Sequence, residues 1–385
     1  MIPIISKLPQ VGTTIFTTMS ALAAEVGAIN LSQGFPDYEC SPVLIELINQ
    51  AMKDGYNQYA PMPGVAALRQ QVVNKVNKLH GSNYNADTDV TITAGGTQAV
   101  FTVISTIINP NDEVIIFEPA FDCYAPAIKL MGGVVRSLEL EPPDYRIPWD
   151  MVKKLINNRT KLIIINSPHN PTATILHEDD IEELTAIVRN QDIFILSDEV
   201  YEHLIYDGQT HRSMARYPEL VERSFIVASF GKLFHATGWK VGYCLAPAYL
   251  MKEFRKIHQY LVFSVNSPMQ YAMAKYLEDE RVYLDLPSFF QEKRDYFREG
   301  LAQTAFELLP CYGSYFQSVK YQNLSNLSDV DFCLQLTKEA GVATIPTSVF
   351  YTKQTDHHIL RLCFAKKQET LDTAIERLMN FKPLL

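Results

Sequence analysis

The feature that most constrains this chain is an alternation of two periodicities between about residue 45 and residue 275. Short runs rich in β-branched and aromatic side chains occur at 90–93, 113–117, 161–166, 193–197, 224–230 and 241–245. Most are apolar at consecutive positions, as strands must be when helices cover both faces of their sheet. Longer stretches with helical spacing lie between them. Val65, Leu68, Val72, Val76 and Leu79 recur at three- and four-residue steps, which predicts a helix with one buried face. Strands alternating with helices predict a mostly parallel, doubly wound α/β sheet. Beyond about residue 275 the pattern changes. Helical periodicity covers 268–305, shorter strand candidates follow at 313–319 and 358–364, and a helix ends the chain. We expect a large domain over 45–275 and a smaller α+β domain over 276–385, completed by the N-terminal segment 1–44.

Composition removes several function classes. With 34 basic against 43 acidic side chains the formal charge is −9, which argues against the basic face of a nucleic-acid binder. No run of about eighteen apolar residues predicts a membrane span, and the first ten residues lack the apolar stretch of a signal peptide. The six cysteines form no CxxC pair and no metal-ligand spacing. They read as reduced thiols of a cytoplasmic protein, and no metal site is expected.

In open α/β sheets, ligands bind beyond the carboxyl ends of the strands, so the residues following each run carry the argument. Gly95 and Gly96, then Thr97 and Gln98, follow 90–93 and open an apolar helix. This arrangement makes either an anion cup or a plain tight turn. Phe121 follows 113–117, where it can stack on a planar ring or pack in the core. Asn170 sits in a loop pinned by prolines and offers an amide to a ligand or to its own turn. Asp198 ends the run 193–197 and precedes Tyr201. A carboxylate there needs a cationic partner, unless it caps the next segment. Lys232 follows an apolar run and a glycine, with Lys240 eight residues on; a desolvated lysine amine becomes a nucleophile toward carbonyls. Taken together, these positions offer an anion cup, a stacking ring, a carboxylate, hydrogen-bond donors and an amine. That set matches pyridoxal 5′-phosphate, whose sites combine a Schiff-base lysine with an acidic partner for the ring nitrogen.

The segment SFGKLFHATGWKVG at 229–242 resembles the S-x-x-K-x(7)-[RK]-x-G lysine signature of the fold type I, class I/II aminotransferases. Around it stand LSQGFPD at 31–37, NQYAPMPG at 57–64, NSPHNPT at 166–172 and SDEVY at 197–201, in that family's order. EPAFDCYAP, HQYLVFSVNSP and ILRLCFAKK look most like its kynurenine–glutamine transaminase branch, including the bacterial methionine aminotransferases. The resemblance implies a role for each matching position. Lys232 holds the cofactor and shuttles the substrate α-proton. Asp198 keeps the pyridine nitrogen protonated, and Tyr201 and Asn170 bond the phenolic oxygen. Gly96, Thr97 and Gln98 donate backbone hydrogen bonds to the phosphate, joined by Ser229 and Lys240, and Phe121 stacks on the ring. Arg361 grips the α-carboxylate, and Gly34 admits that carboxylate to the backbone. Tyr59 reaches the phosphate of a second subunit, which implies a homodimer. Phe16, Ile15, Tyr59, Tyr124 and Phe263 are candidates for an apolar substrate pocket. Leu233 departs from the Thr or Ser that often follows the lysine.

The expected activity is ping-pong transfer of an amino group from a neutral, apolar or aromatic amino acid, methionine-like favoured, to a 2-oxo acid. Kynurenine or glutamine transamination and cysteine-S-conjugate β-elimination are the alternatives within the same chemistry. A non-catalytic ligand-binding module is the alternative from another class.

Overall fold

The computed structural model describes residues 2–382. Seven strands form one sheet in the order Val90–Thr93, Gly242–Leu245, Ser224–Ser229, Phe194–Asp198, Thr160–Asn166, Glu113–Glu118 and Val134–Glu139. Gly242–Leu245 runs antiparallel to both of its neighbours, and the other pairings are parallel. The continuous apolar runs follow from two covered faces. Val114, Ile116, Leu162, Ile164 and Leu196 point into one core cluster, with Val103, Ile104 and Phe254 from helices Gly96–Ile107 and Ala248–Leu261. Ile115, Phe117, Ile163, Ile165 and Ile195 point the other way, against Leu68, Val72, Val76 and Leu184. Because side chains alternate across a strand, one run feeds two cores. Each fully buried aliphatic side chain contributes about 1.5–3 kcal/mol.

The helix spacing of Val65 to Leu79 matches an observed helix, Ala66–His80, ended by Gly81 in the left-handed region at φ 69°. The strand Val134–Glu139 lies outside the apolar runs of the sequence. It lies at the sheet edge, half-buried, and carries Arg136, Ser137 and Glu139 where a central strand would be apolar. The run at 224–230 ends at Ser229, because Phe230–Leu233 coils into one helical turn. The stretch 268–305 is three helices, Ser267–Tyr276, Arg281–Leu284 and Leu286–Leu301, the last opened by Pro287 in its first turn.

The second sheet is antiparallel, in the order Ile345–Pro346, Ile359–Cys363, Phe316–Lys320 and Glu307–Leu308. Gly313–Tyr315, expected within a strand, bends instead: Ser314 has φ 59° and the regular strand starts at Phe316. The N-terminal segment is tied to this part of the molecule, since Ile29 and Asn30 pair in parallel with Val342 and Ala343. Helix Ile15–Val26 packs on helix Asp329–Glu339. Among the described residues no helix is long and apolar enough to cross a membrane.

Candidate active site

The carboxyl ends of the large sheet's parallel strands meet the second sheet and the N-terminal segment around a cavity of about 410 Å³. Its floor begins at the glycine turn. Gly95 has φ 85°, a conformation that strains any other residue, and helix Gly96–Ile107 starts directly after it with its free N–H groups facing the cavity. A Cβ on Gly96 would lie 2.9 Å from Val200 Cγ1, so the backbone passes closer than a side chain allows. Lys240, itself at φ 56°, brings Nζ to 3.5 Å from the position a Gly95 Cβ would take. Ser229, Thr97 and Thr237 complete a cup of amides, hydroxyls and one ammonium group suited to a phosphate.

Asp198 is the last residue of its strand and is 3% exposed. Burial raises its carboxyl to about 6, although Tyr124 Oη donates to Oδ2 at 2.6 Å and the Val200 N–H donates to Oδ1 at 3.3 Å. Asn166 Nδ2 fixes the same corner by donating to the Asp198 carbonyl at 2.9 Å. A buried carboxylate that still lacks a full charge partner is suited to a protonated ring nitrogen. Phe121 and Val200 also line the cavity, with apolar surface for a planar ring.

Lys232 stands in the single helical turn after Ser229. Gly231 is required beside it, because a Cβ there would lie 2.9 Å from Thr237 Cα as the chain folds back. Lys232 Nζ donates to Tyr315 Oη at 2.7 Å and to the Gly34 carbonyl at 3.0 Å. Burial lowers the amine to about 8, with Arg361 and Lys240 acting in the same direction against Cys363 and Asp198. At about 8, roughly a tenth of this amine is neutral at pH 7, far more than for an ordinary lysine, which makes it a nucleophile and a base.

Arg361 sits mid-strand, 1% exposed, opposite Ser318 and Ile345. Its guanidinium lies 4.0 Å from the Phe316 ring centroid, 5.4 Å from Phe16 and 5.7 Å from Phe350. Nη1 donates to Asn170 Oδ1 at 2.7 Å and Nη2 to the Ser32 carbonyl at 2.9 Å, while the buried Nε has no partner. Such a group has unused donor capacity for a carboxylate. Gly34 is packed so tightly that its Cβ would meet Phe316 Cζ at 2.8 Å.

Of the residues expected in the site, Phe16, Gly34, Gly96, Thr97, Phe121, Asn170, Asp198, Tyr201, Ser229, Lys232, Lys240 and Arg361 line this one cavity. Others do not. Tyr124, expected in the substrate pocket, is buried behind Asp198, where its hydroxyl reaches the carboxylate and its ring meets Phe121 edge-on. The Gln98 side chain turns back to accept from the Ala94 N–H at 2.9 Å and lies outside the lining. Ile15 packs against the core. Tyr59 is 80% exposed, edge-on to Phe263 at 5.1 Å, and neither lines the cavity of this chain. The structure adds Gln33, Asp122, Asn166, Val200, Thr237 and Phe316 to the lining. Asn166, Val200 and Thr237 lie inside the motifs already quoted. Tyr315 and Phe316 carry no local signal beyond the turn before them.

The phosphate cup, buried carboxylate, apolar faces and amine thus fit pyridoxal phosphate on donor chemistry alone. The family model for aminotransferase class I and II matches residues 26–378. The chain is 50% identical over 374 residues to a methionine aminotransferase of Escherichia coli, covering 97% of each chain. It is 32% identical over 398 residues to mouse (Mus musculus) kynurenine–oxoglutarate transaminase 1, covering 94% of this chain and 93% of the other. It superposes with a TM-score of 0.96 at 49% identity on the crystal structure of YbdL from Escherichia coli, for which a methionine aminotransferase function was identified, covering 98% of this chain and 100% of that one. A match across nearly the whole chain, joined to this site, decides the family: the protein belongs to the class I and II aminotransferases and is a pyridoxal-phosphate-dependent transaminase.

Proposed function

We propose that this enzyme takes the amino group of a neutral, apolar or aromatic amino acid, methionine-like favoured, and passes it to a 2-oxo acid. The observation that carries the reading is the aromatic enclosure of Arg361 by Phe316, Phe16 and Phe350. The guanidinium takes the α-carboxylate, and the rings beside it suit an apolar side chain. Asp122 lines the same cavity, and its negative charge opposes a second carboxylate on the donor.

Bound pyridoxal phosphate supplies an electron sink for the electrons left when the α-hydrogen departs. The chain's own residues do the rest. Gly95–Thr97, Ser229 and Lys240 anchor the phosphate, with the Gln98 backbone at the same helix start. Asp198 would hold the ring-nitrogen proton, its carboxylate oriented by Tyr124 and the Val200 N–H and its backbone by Asn166, and Tyr201 and Asn170 would bond the phenolic oxygen. Lys232 Nζ accepts the α-proton and returns it. Phe121 and Val200 would offer apolar surface to the ring.

The division into 1–44, 45–275 and 276–385 is part of this reading, supported by the pairing of Ile29–Asn30 with Val342–Ala343. So is a homodimer in which Tyr59 reaches the second subunit's phosphate. Tyr59, Tyr260, Leu261 and Phe263 expose a shared apolar surface that a second copy would cover. A cytoplasmic location agrees with six free thiols, four of them buried.

The test is kcat/KM across a donor panel with one fixed 2-oxo acid. Methionine, aromatic donors and leucine should lead. A clear preference for aspartate would refute the substrate class. Pyruvate and ammonia released from a cysteine conjugate with no 2-oxo acid present would favour β-elimination instead.

A further inference from the structure

Tyr315 belongs to none of the motifs that carry the family resemblance, yet its hydroxyl touches the reactive amine. Lys232 Nζ lies 2.7 Å from Tyr315 Oη and 3.0 Å from the Gly34 carbonyl, and Tyr315 Oη itself donates to that carbonyl. The phenol has one hydrogen, committed to Gly34. The amine therefore meets an oxygen lone pair, and the contact is an N–H donation from Lys232. Acceptors of this kind favour the ammonium form over the amine.

The hydroxyl is held in place. Tyr315 is 1% exposed, and its ring is wedged edge-on against Tyr201 at 5.1 Å and Phe316 at 4.9 Å, with Phe290 at 5.9 Å. Around Nζ stand Cys363 and Asp198, which favour its charge, and Arg361 and Lys240, which oppose it; the Tyr201 ring faces it at 5.6 Å. Burial is the largest influence and favours the neutral amine. The two oxygens of this seat work against it.

We propose that Tyr315 is a positioning residue of the amino-transfer step, forming with the Gly34 carbonyl the seat that holds the free Lys232 amine and keeps its proton affinity near the working pH. The proposal rests on the reading of Lys232 as the group that moves the α-proton. In that role Nζ takes a proton, becomes ammonium and gives the same proton back, and both directions need a proton affinity near ambient pH. Loss of one acceptor leaves burial less opposed, so the amine should lose its proton at lower pH.

The test uses the full chain freed of cofactor. Pyridoxal phosphate is added across a pH series, and the rate of appearance of the lysine-bound band is followed for wild type and Tyr315→Phe. The variant keeps the ring and its packing, which a thermal melt checks. The inflection of the rate–pH profile should move down by about one pH unit, the worth of one hydrogen bond to a charged group. In the reloaded enzyme kcat should fall about tenfold with KM for methionine nearly unchanged, as for an interaction made beyond the ground state. An unmoved inflection, with wild-type capture intact, overturns the proposal alone. A wild-type chain that forms no band overturns the reading of Lys232 and the proposal with it.

Discussion

The wall of the cavity that carries Gly95, Gly96, Asp198, Ser229 and Lys232 comes from one sheet, whereas the facing wall, with Phe16, Gly34, Phe316 and Arg361, comes from three distant stretches of chain. The first wall is rigid by construction. Each of its groups stands at or just after the end of a strand of that one sheet, so the hydrogen-bonded ladder fixes their mutual positions. The second wall exists only because the N-terminal segment and the second sheet fold over the first. Its groups hold one another through contacts such as Arg361 to Asn170 and Ser32, and Lys232 to Gly34. On the function proposed above, the comparison teaches a division of labour: the sheet wall would hold the cofactor, and the folded-over wall would decide which donor is accepted.

Variants should separate the two walls. Lys232→Ala should erase the lysine-bound absorbance and lower turnover by about 10⁴-fold or more, because one residue is both attachment point and proton carrier. Wild-type transamination in that variant would break the scheme. Arg361→Lys should leave the cofactor spectrum intact while kcat/KM for methionine falls about 10–100-fold, the worth of one charge-assisted hydrogen bond of about 1.5–3 kcal/mol. A lost spectrum would mean that the two walls are not independent.

Asp198 offers a thermodynamic test of the sheet wall. Its folded-state pKa near 6 lies above the ordinary aspartate value, so the folded protein favours the protonated form. The stability this confers is fully present below about pH 4 and is lost as pH rises through about 6, a change of about 2–3 kcal/mol. In the cofactor-free chain, Asp198→Asn should remove that part of the pH dependence of the melting temperature. An unchanged slope between those pH values would show that the carboxyl titrates normally. The smallest effect is expected at Asp122, where Asp122→Asn should raise the preference for acidic donors over methionine about two- to fivefold. No change in that ratio would remove Asp122 from donor selection.

The same division explains what could be read in the residues. Ser229, Lys232 and Lys240 stand in one short segment, and Asp198 and Tyr201 in another, because a strand end places consecutive residues at one point in space. Tyr124 shows the limit of that logic. It follows Phe121 closely and was expected to face the substrate, yet the first turn of helix Tyr124–Leu130 carries its hydroxyl behind Asp198. At Gln98 only the backbone stays at the cavity's helix start, because the helix turns its side chain back to the Ala94 N–H. The edge strand Val134–Glu139 has no apolar run to mark it, because a half-buried edge needs none.

By itself the sequence determined the mostly parallel sheet, its doubly covered strands, and the amine, carboxylate and glycine turn at their ends, because those depend on periodicity and on neighbours in the chain. Only the tertiary structure decided that Tyr315 and Gly34 would meet Lys232, that Phe16 and Phe316 would both lie against Arg361, and that Tyr124 would back Asp198. The physical reason is distance along the chain. Lys232 and Gly34 are 198 residues apart, and Arg361 and Ser32 are 329 apart. Contacts of that kind are set by how whole sheets and helices pack, and no local pattern of residues encodes them.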